Sequence, residues 1–352
     1  GNNATALGID ANANGEYATA LGGCSTAAGD VATALGTYAN ASGGSATALG
    51  LLANAAGIQA TAVGAGANAA GYAATALGLA ANAAGNWGTA LGFSAEASDI
   101  GAIALGNQSK ASGLQAVALG DAANASGLNS TALGVASTAS GNFSTAAGDR
   151  AKASAHASIA LGVEAKASGE SSIALGADTN ASGNGATALG LDAVASGESA
   201  TALGNQANAA GNNAIAFGSK ANAFDIGSIA LGNQASASGL RAVALGDSAN
   251  SSSILSTALG PATNAQGNFS TAIGFLSKAT SNSSVAVGAC AVASSTNAIA
   301  IGNHAGAGVN AIAIGSNSKA NDGGIAIGET AVANVNDAIA IGDDAVALGI
   351  DA

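Results

Sequence analysis

Residues able to do chemistry are few in this chain and do not cluster. Its only two histidines, His156 and His304, stand over ten repeats apart. No cysteine or carboxylate constellation recurs beside either, so no nucleophile, base and orienting acid can be assembled around them. Both read as solvent-exposed corner residues. Cys24 and Cys290 are separated by 19 repeats. At about 4.8 Å per repeat they would lie roughly 90 Å apart, too far for an intrachain disulfide. Free thiols and bridges between molecules both remain open. The stretch "GAGANAAG" at 64–71 lacks the Lys-Ser/Thr of a phosphate loop. The aspartates are scattered, unlike those of calcium-binding nonapeptide repeats. We therefore expect no catalytic, cofactor or metal residues. Sequons at Asn129, Asn142 and Asn268 are weak signals, because Asn-Ala-Ser is also a by-product of the repeat.

Contact chemistry is a better prospect. Tyr17, Tyr72, Trp87, Phe93, Phe143 and Phe269 occupy corner positions, and aromatic residues make binding hot spots. Tyr72, Trp87 and Phe93, about one repeat apart, are the candidate surface contacts. The competing reading is that corner aromatics pack between neighbouring chains of an assembly.

The elements that must carry these residues are set by a repeat. Gly8 closes the pentad "ATALG", and glycine recurs every 14 residues to Gly302, then after 13 at Gly315 and Gly328, and after 14 at Gly342. These are 25 copies with no insertion. A second glycine lies midway in most copies and is replaced by Asp99, Ala155, Asp225, Ser253, Ser281 and Ser295. Each copy reads A-T-A-L-G, two variable residues, A-N-A-S-G, two variable residues. A helix is excluded, because interior glycine costs about 1 kcal/mol relative to alanine and would recur every second turn. Within each pentad the alternation has period two, the signature of a strand. The chain is thus expected to be all-β, a parallel β-roll or solenoid of about 25 coils of 14 residues, on the order of 120 Å long.

Composition agrees. Of 352 residues 53 are glycine and one is proline, aromatics make up 3% and the 49% hydrophobic share is mostly alanine, so a conventional core cannot be filled. The two small Ala-x-Ala faces can meet inside a narrow roll, and the Asn/Ser face belongs in water. Lys110, Lys152, Lys166, Lys278 and Lys319 all take the Asn position. The Thr/Ile/Val and Leu columns remain, and alone in solution they would expose an apolar stripe larger than a monomer usually tolerates. Burial of each Leu is worth roughly 1.5–3 kcal/mol, which predicts an obligate oligomer. Leu21, Ile103, Leu105, Leu119, Leu231, Ile299 and Ile301 would line its axis. The net charge of −12 argues against nucleic-acid partners. No apolar run reaches 18 residues, so this segment is not expected to insert into a membrane. The lack of an initiator Met and ends cut mid-pattern suggest part of a longer protein.

The unit, as in "NNAIAFGSKANAFDIGSIALGNQASASG" at 212–239 and "NAIAIG" at 297–302 and 310–315, resembles the head repeat of trimeric autotransporter adhesins of the YadA type, N-S-V-A-I-G-x-x-S-x-A-x-G. The resemblance covers essentially all 352 residues. It implies a left-handed parallel β-roll homotrimer, displayed on the surface of a Gram-negative bacterium by an outer-membrane anchor. Such heads attach to extracellular matrix protein, host cells or other surfaces, a role in virulence. Early copies depart from the pattern with Thr for Val or Ile, and Ala often replaces Ser. No neck motif, stalk heptads or anchor segment is found, so a head alone is expected. A projecting spacer or a phage or appendage fibre without its own ligand is the alternative.

Residues 99–121 and 225–247 are nearly identical, differing at four positions, and the 126-residue offset is nine times 14. Residues 93–154 resemble 219–280 in the same way. Within a single head of residues 1–352 this reads as duplication of a nine-coil block.

Overall fold

The computed structural model describes residues 1–348. Short strands joined by corners make up all of it, with no helix among the described residues. Contacts divide the chain into two units, Gly1–Asp178 and a second from Thr179 onward. Each is a parallel β-solenoid, as the repeat predicts.

One coil of the first unit shows the construction. The strand Thr19–Leu21 leads through a corner to the strand Thr26–Ala27, and a second corner returns the chain to Thr33. Thr19, Ala20 and Leu21 pair in parallel with Thr33, Ala34 and Leu35 of the next coil. Like therefore stacks on like. The second unit is built identically, with Ile229, Ala230 and Leu231 on Val243, Ala244 and Leu245. Where the period shortens, Ile299, Ala300 and Ile301 still pair with Ile312, Ala313 and Ile314, so the missing residue is absorbed away from this sheet.

Pleating sends alternate side chains to opposite faces. Ala18 and Ala20 of one strand and Ala39 and Ala41 of the other kind are wholly buried, and both small faces meet inside the roll. The largest fully buried side chains are Thr179 and Thr263, followed by serines. Alanine, serine and threonine are the side chains buried there. An alanine methyl contributes about 0.8 kcal/mol, well under what a buried Leu supplies. The large side chains have been placed outside.

The two glycine columns do different work. The pentad-closing glycine has a positive φ: Gly106 has φ +136°, and a Cβ there would fall 2.3 Å from the carbonyl oxygen of Gly120. The midway glycine does not. Gly43 has an ordinary φ, but a Cβ would come within 2.0 Å of the Gly57 carbonyl oxygen. Close approach between coils requires it. The left-handed conformation sits instead on the second residue of each corner, including Val31 (φ 58°), Trp87 (φ 57°) and Phe143 (φ 59°). Tight hydrogen bonds hold these corners. The Trp87 N–H donates to the Tyr72 carbonyl at 2.7 Å, and the Gly88 N–H to the Gly85 carbonyl at 3.0 Å.

Where the midway glycine is lost, a serine three residues later often compensates. The hydroxyls of Ser158, Ser228, Ser256 and Ser284 donate to the carbonyls of Ala155, Asp225, Ser253 and Ser281 at 2.6–2.7 Å. The equivalent hydroxyls of Ser130, Ser144, Ser172 and Ser270 follow a retained glycine and are buried without a partner.

Candidate functional site

Three outward surfaces carry the side chains that can meet another molecule. The first is the face of the three-residue strands. Leu21, Ile103, Leu105, Leu119, Leu231 and Ile299 are half-buried, and Ile301 is exposed. All seven project outward from the sheet, shielded only by the rungs above and below. Some rungs of the Leu column are more open: Leu77 is 42% and Leu133 50% exposed. This is a mostly aliphatic ridge in each unit, lowered at Ala147 in the first and carrying Phe217 in the second, with no partner in the single chain.

The second surface is the corners. Tyr72 and Trp87 meet edge to face, ring centroids 5.7 Å apart at 77°. Phe93 does not join them. It lies between the strands Thr89–Leu91 and Glu96–Ala97, whereas Tyr72 and Trp87 occupy the other type of corner, before a three-residue strand. Sequence distance of about one repeat concealed a change of side. Tyr17, Phe143 and Phe269 are exposed at the Tyr72 type of corner. Both histidines are exposed, and His156 also packs its ring edge-on to Phe143, 5.5 Å between centroids. Cys24 and Cys290 are free and half-buried.

Corner asparagines and aspartates have a structural role that sequence reasoning missed. The N–H of the first corner residue points along the stack, and the residue one coil later caps it. Tyr72 N–H donates to Asn86 Oδ1 at 2.9 Å, Leu128 N–H to Asn142 Oδ1 at 3.0 Å and Ile254 N–H to Asn268 Oδ1 at 3.3 Å. Two of the sequon asparagines thus serve the scaffold. The recurrence of Asn or Asp at the start of this corner was the available signal. Asp99 and Asp225 cap locally instead, each accepting from the N–H of the next residue, Ile100 or Ile226, at 2.7 Å.

The third surface is the polar face of the two-residue strands. Asn40, Asn54, Asn68 and Asn82 form an amide ladder, each Nδ2 donating to the next Oδ1 at 2.8 Å. The ladder ends at Glu96, which pairs with Lys110 at 3.0 Å and accepts from Ser98 Oγ at 2.8 Å. The Ser98 hydroxyl, and then Lys110, hold the Glu96 carboxyl below the usual carboxylate range. Lys152 and Lys166 stack directly on one another. Arg150 joins Asp149 and Glu164 at 3.5 and 3.0 Å. No group of three or more His, Cys, Asp or Glu that could hold a metal occurs among the described residues.

The family model of the YadA head domain repeat, which spans two copies, matches at residues 1–23, 27–53, 41–67 and onward, mostly in 14-residue steps, to 307–324 and 321–345. These segments cover nearly the whole chain. The chain belongs to the YadA head-repeat family. It is a YadA-like head of the trimeric-autotransporter, adhesin-like type, and its coils are the family's repeat realised as a parallel β-roll. The YadA-type assignment accounts for the outward aliphatic ridge and the small interior together, since each repeat supplies one rung of both. No curated protein matches the chain.

Proposed function

We propose that this YadA-like head works as a homotrimer that attaches a bacterial surface to extracellular matrix protein or to host cells. The observation that carries this reading is the outward, mostly aliphatic column repeated along each unit opposite a polar face. Three copies that turn Leu21, Ile103, Leu105, Leu119, Leu231, Ile299 and Ile301 toward a common axis would bury it and leave the amide ladder and the lysines in water. At roughly 1.5–3 kcal/mol per Leu, many rungs acting together favour a permanent assembly. Repetition along the chain and threefold multiplication suit adhesion by many weak contacts. Tyr72, Trp87 and Phe93 are the proposed aromatic contacts. The reading is non-enzymatic, needs no cofactor and places the head outside the cell, carried by an outer-membrane anchor.

The near-identical contacts of Asp99 with Ile100 and Asp225 with Ile226 favour a nine-coil duplication within one head of residues 1–352, with 93–154 and 219–280 as the copies. Light scattering together with binding to immobilised collagen, fibronectin and cultured cells tests the function. A trimer that binds surfaces is the expected result. A trimer that binds none would make the head a projecting spacer, and a folded monomer would overturn the axis.

A further inference from the structure

In the second unit, the column that carries Asn, Lys, Thr, Val, Ser or Glu in every other coil carries Gly306. Gly306 pairs with Val292 on one side and Lys319 on the other. Its φ is ordinary and a Cβ there would meet nothing within 4 Å, so the scaffold does not require glycine. The backbone is intact, with the N–H groups of Gly306 and Gly308 donating to Ser318 and Ala320 carbonyls at 2.9 Å. The gap is made by missing side chains. It coincides with the shortening of the repeat to 13 residues, and residue 306 falls between two family matches. The result is an open notch of about 320 Å³ on the polar face.

We propose that this notch is a binding site for the terminal residue of an acidic glycan, a sugar ring bearing a carboxylate. Its size is at the small end of ligand pockets and suits one ring rather than a polymer segment. Val292 and the alanines of the floor offer an apolar surface to the C–H face of a sugar. Lys319 lines the notch, is exposed, and has no ion pair among the described residues, which leaves its ammonium for a carboxylate. Ser294 Oγ and Asn321 Oδ1 supply groups for ring hydroxyls, the Asn321 Nδ2 donating to the Asn334 carbonyl. Asp322 Oδ1 accepts from the Val309 N–H at 2.8 Å, which fixes that carboxylate at the margin with its other oxygen available to a hydroxyl. An extended peptide is disfavoured, because the strands here are already paired on both sides and offer no edge for strand addition. A polyanion is disfavoured because Lys319 is the single cation lining the notch and Asp322 lies beside it.

The site deepens the adhesin reading by naming a ligand class, and it rests on that reading only for the setting in which the ligand is met. The full chain is tested by ligand-observed NMR with sialyllactose, lactose and an acidic peptide, and by adhesion to cells. Gly306→Asn installs the residue found at Asn208 and Asn222, so it is expected to melt like the parent while losing roughly tenfold or more in affinity for sialyllactose. Lys319→Gln is expected to remove the preference for sialyllactose over lactose. Absence of that preference in the parent, unchanged binding by Gly306→Asn, or preferential binding of the peptide overturns the proposal. Sialyllactose binding that Gly306→Asn leaves unchanged, with cells still bound, sinks the notch but not the adhesin. Sialyllactose binding without adhesion does the reverse.

Discussion

Glu96 and Lys110 face each other on adjacent strands, with Oε2 and Nζ 3.0 Å apart. Ser98 adds a hydrogen bond that, with Lys110, depresses the Glu96 pKa in the folded state. A depressed carboxyl stabilises the fold above its unfolded pKa and loses that contribution as pH falls through the folded value. Both side chains remain in contact with water, so the effect is below about 1 kcal/mol. Glu96→Gln is expected to flatten the decline of melting temperature on the acid side of pH 5, about where an unfolded Glu titrates. An unchanged slope would show that the pair does not act.

The amide ladder offers a graded test. Asn54→Ala removes two side-chain bonds, to Asn40 and Asn68, each worth about 0.5–1.5 kcal/mol. Asn208 stacks on Asn222 without a ladder bond, because Asn222 Nδ2 turns to the Lys220 carbonyl at 3.0 Å. Denaturant unfolding should therefore report a larger loss for Asn54→Ala than for Asn208→Ala. Equal losses would mean that the ladder is incidental.

Gly43 and Gly44 are neighbours with opposite tolerance. A Cβ on Gly43 strikes the Gly57 carbonyl, and one on Gly44 meets nothing within 4 Å. Gly43→Ala should cost about 1–3 kcal/mol, as overpacking does, and Gly44→Ala next to nothing. The pairing of lost glycines with Ser158, Ser228, Ser256 and Ser284 predicts further that Ala46→Ser recovers part of the Gly43→Ala loss. Urea midpoints of the single and double variants decide this, and no recovery would mean the serines are unrelated to the glycines.

Leu105→Asp would place three carboxylates around the proposed axis, each unpaired and costly to bury. Light scattering is expected to show lost or weakened assembly, with a melting temperature well below that of the parent. Lys110→Asn, on the polar face, should leave the mass unchanged. Parent-like mass for the Leu105 variant would reject the axis.

Trp87 is the only tryptophan, and it is 58% exposed in the single chain. Its fluorescence separates the two readings of the corner aromatics. If they face a ligand, emission in the assembled protein stays red-shifted and acrylamide quenches it freely. Strong protection from quenching in the assembly would show that the corner packs between chains.

Much of the coil was legible because a repeat states the same constraints many times. Alternation within "ATALG" assigns the alanines inward and Thr, Ile and Leu outward, and Ala20 and Leu21 follow it. Phe93 was the instructive exception. Its distance from Trp87 along the chain is short, but two corners of one coil lie on opposite edges of the roll, so nearness in sequence did not mean a shared surface.

By itself, then, the sequence determined the strand period, the in-register parallel stacking, the alanine interior and the outward aliphatic column. These follow from periodicity, which acts within one coil and is copied to the next. Tertiary structure alone decided that Gly43 is needed for clearance rather than for φ, that Asn86 and Asn142 cap the corner of the coil before, that Tyr72 meets Trp87, and that Gly306 opens a notch between Val292 and Lys319. Each depends on atoms about 14 residues apart that are brought within a few ångströms, and the distance across a rung is set by the backbone ladder rather than by any local preference.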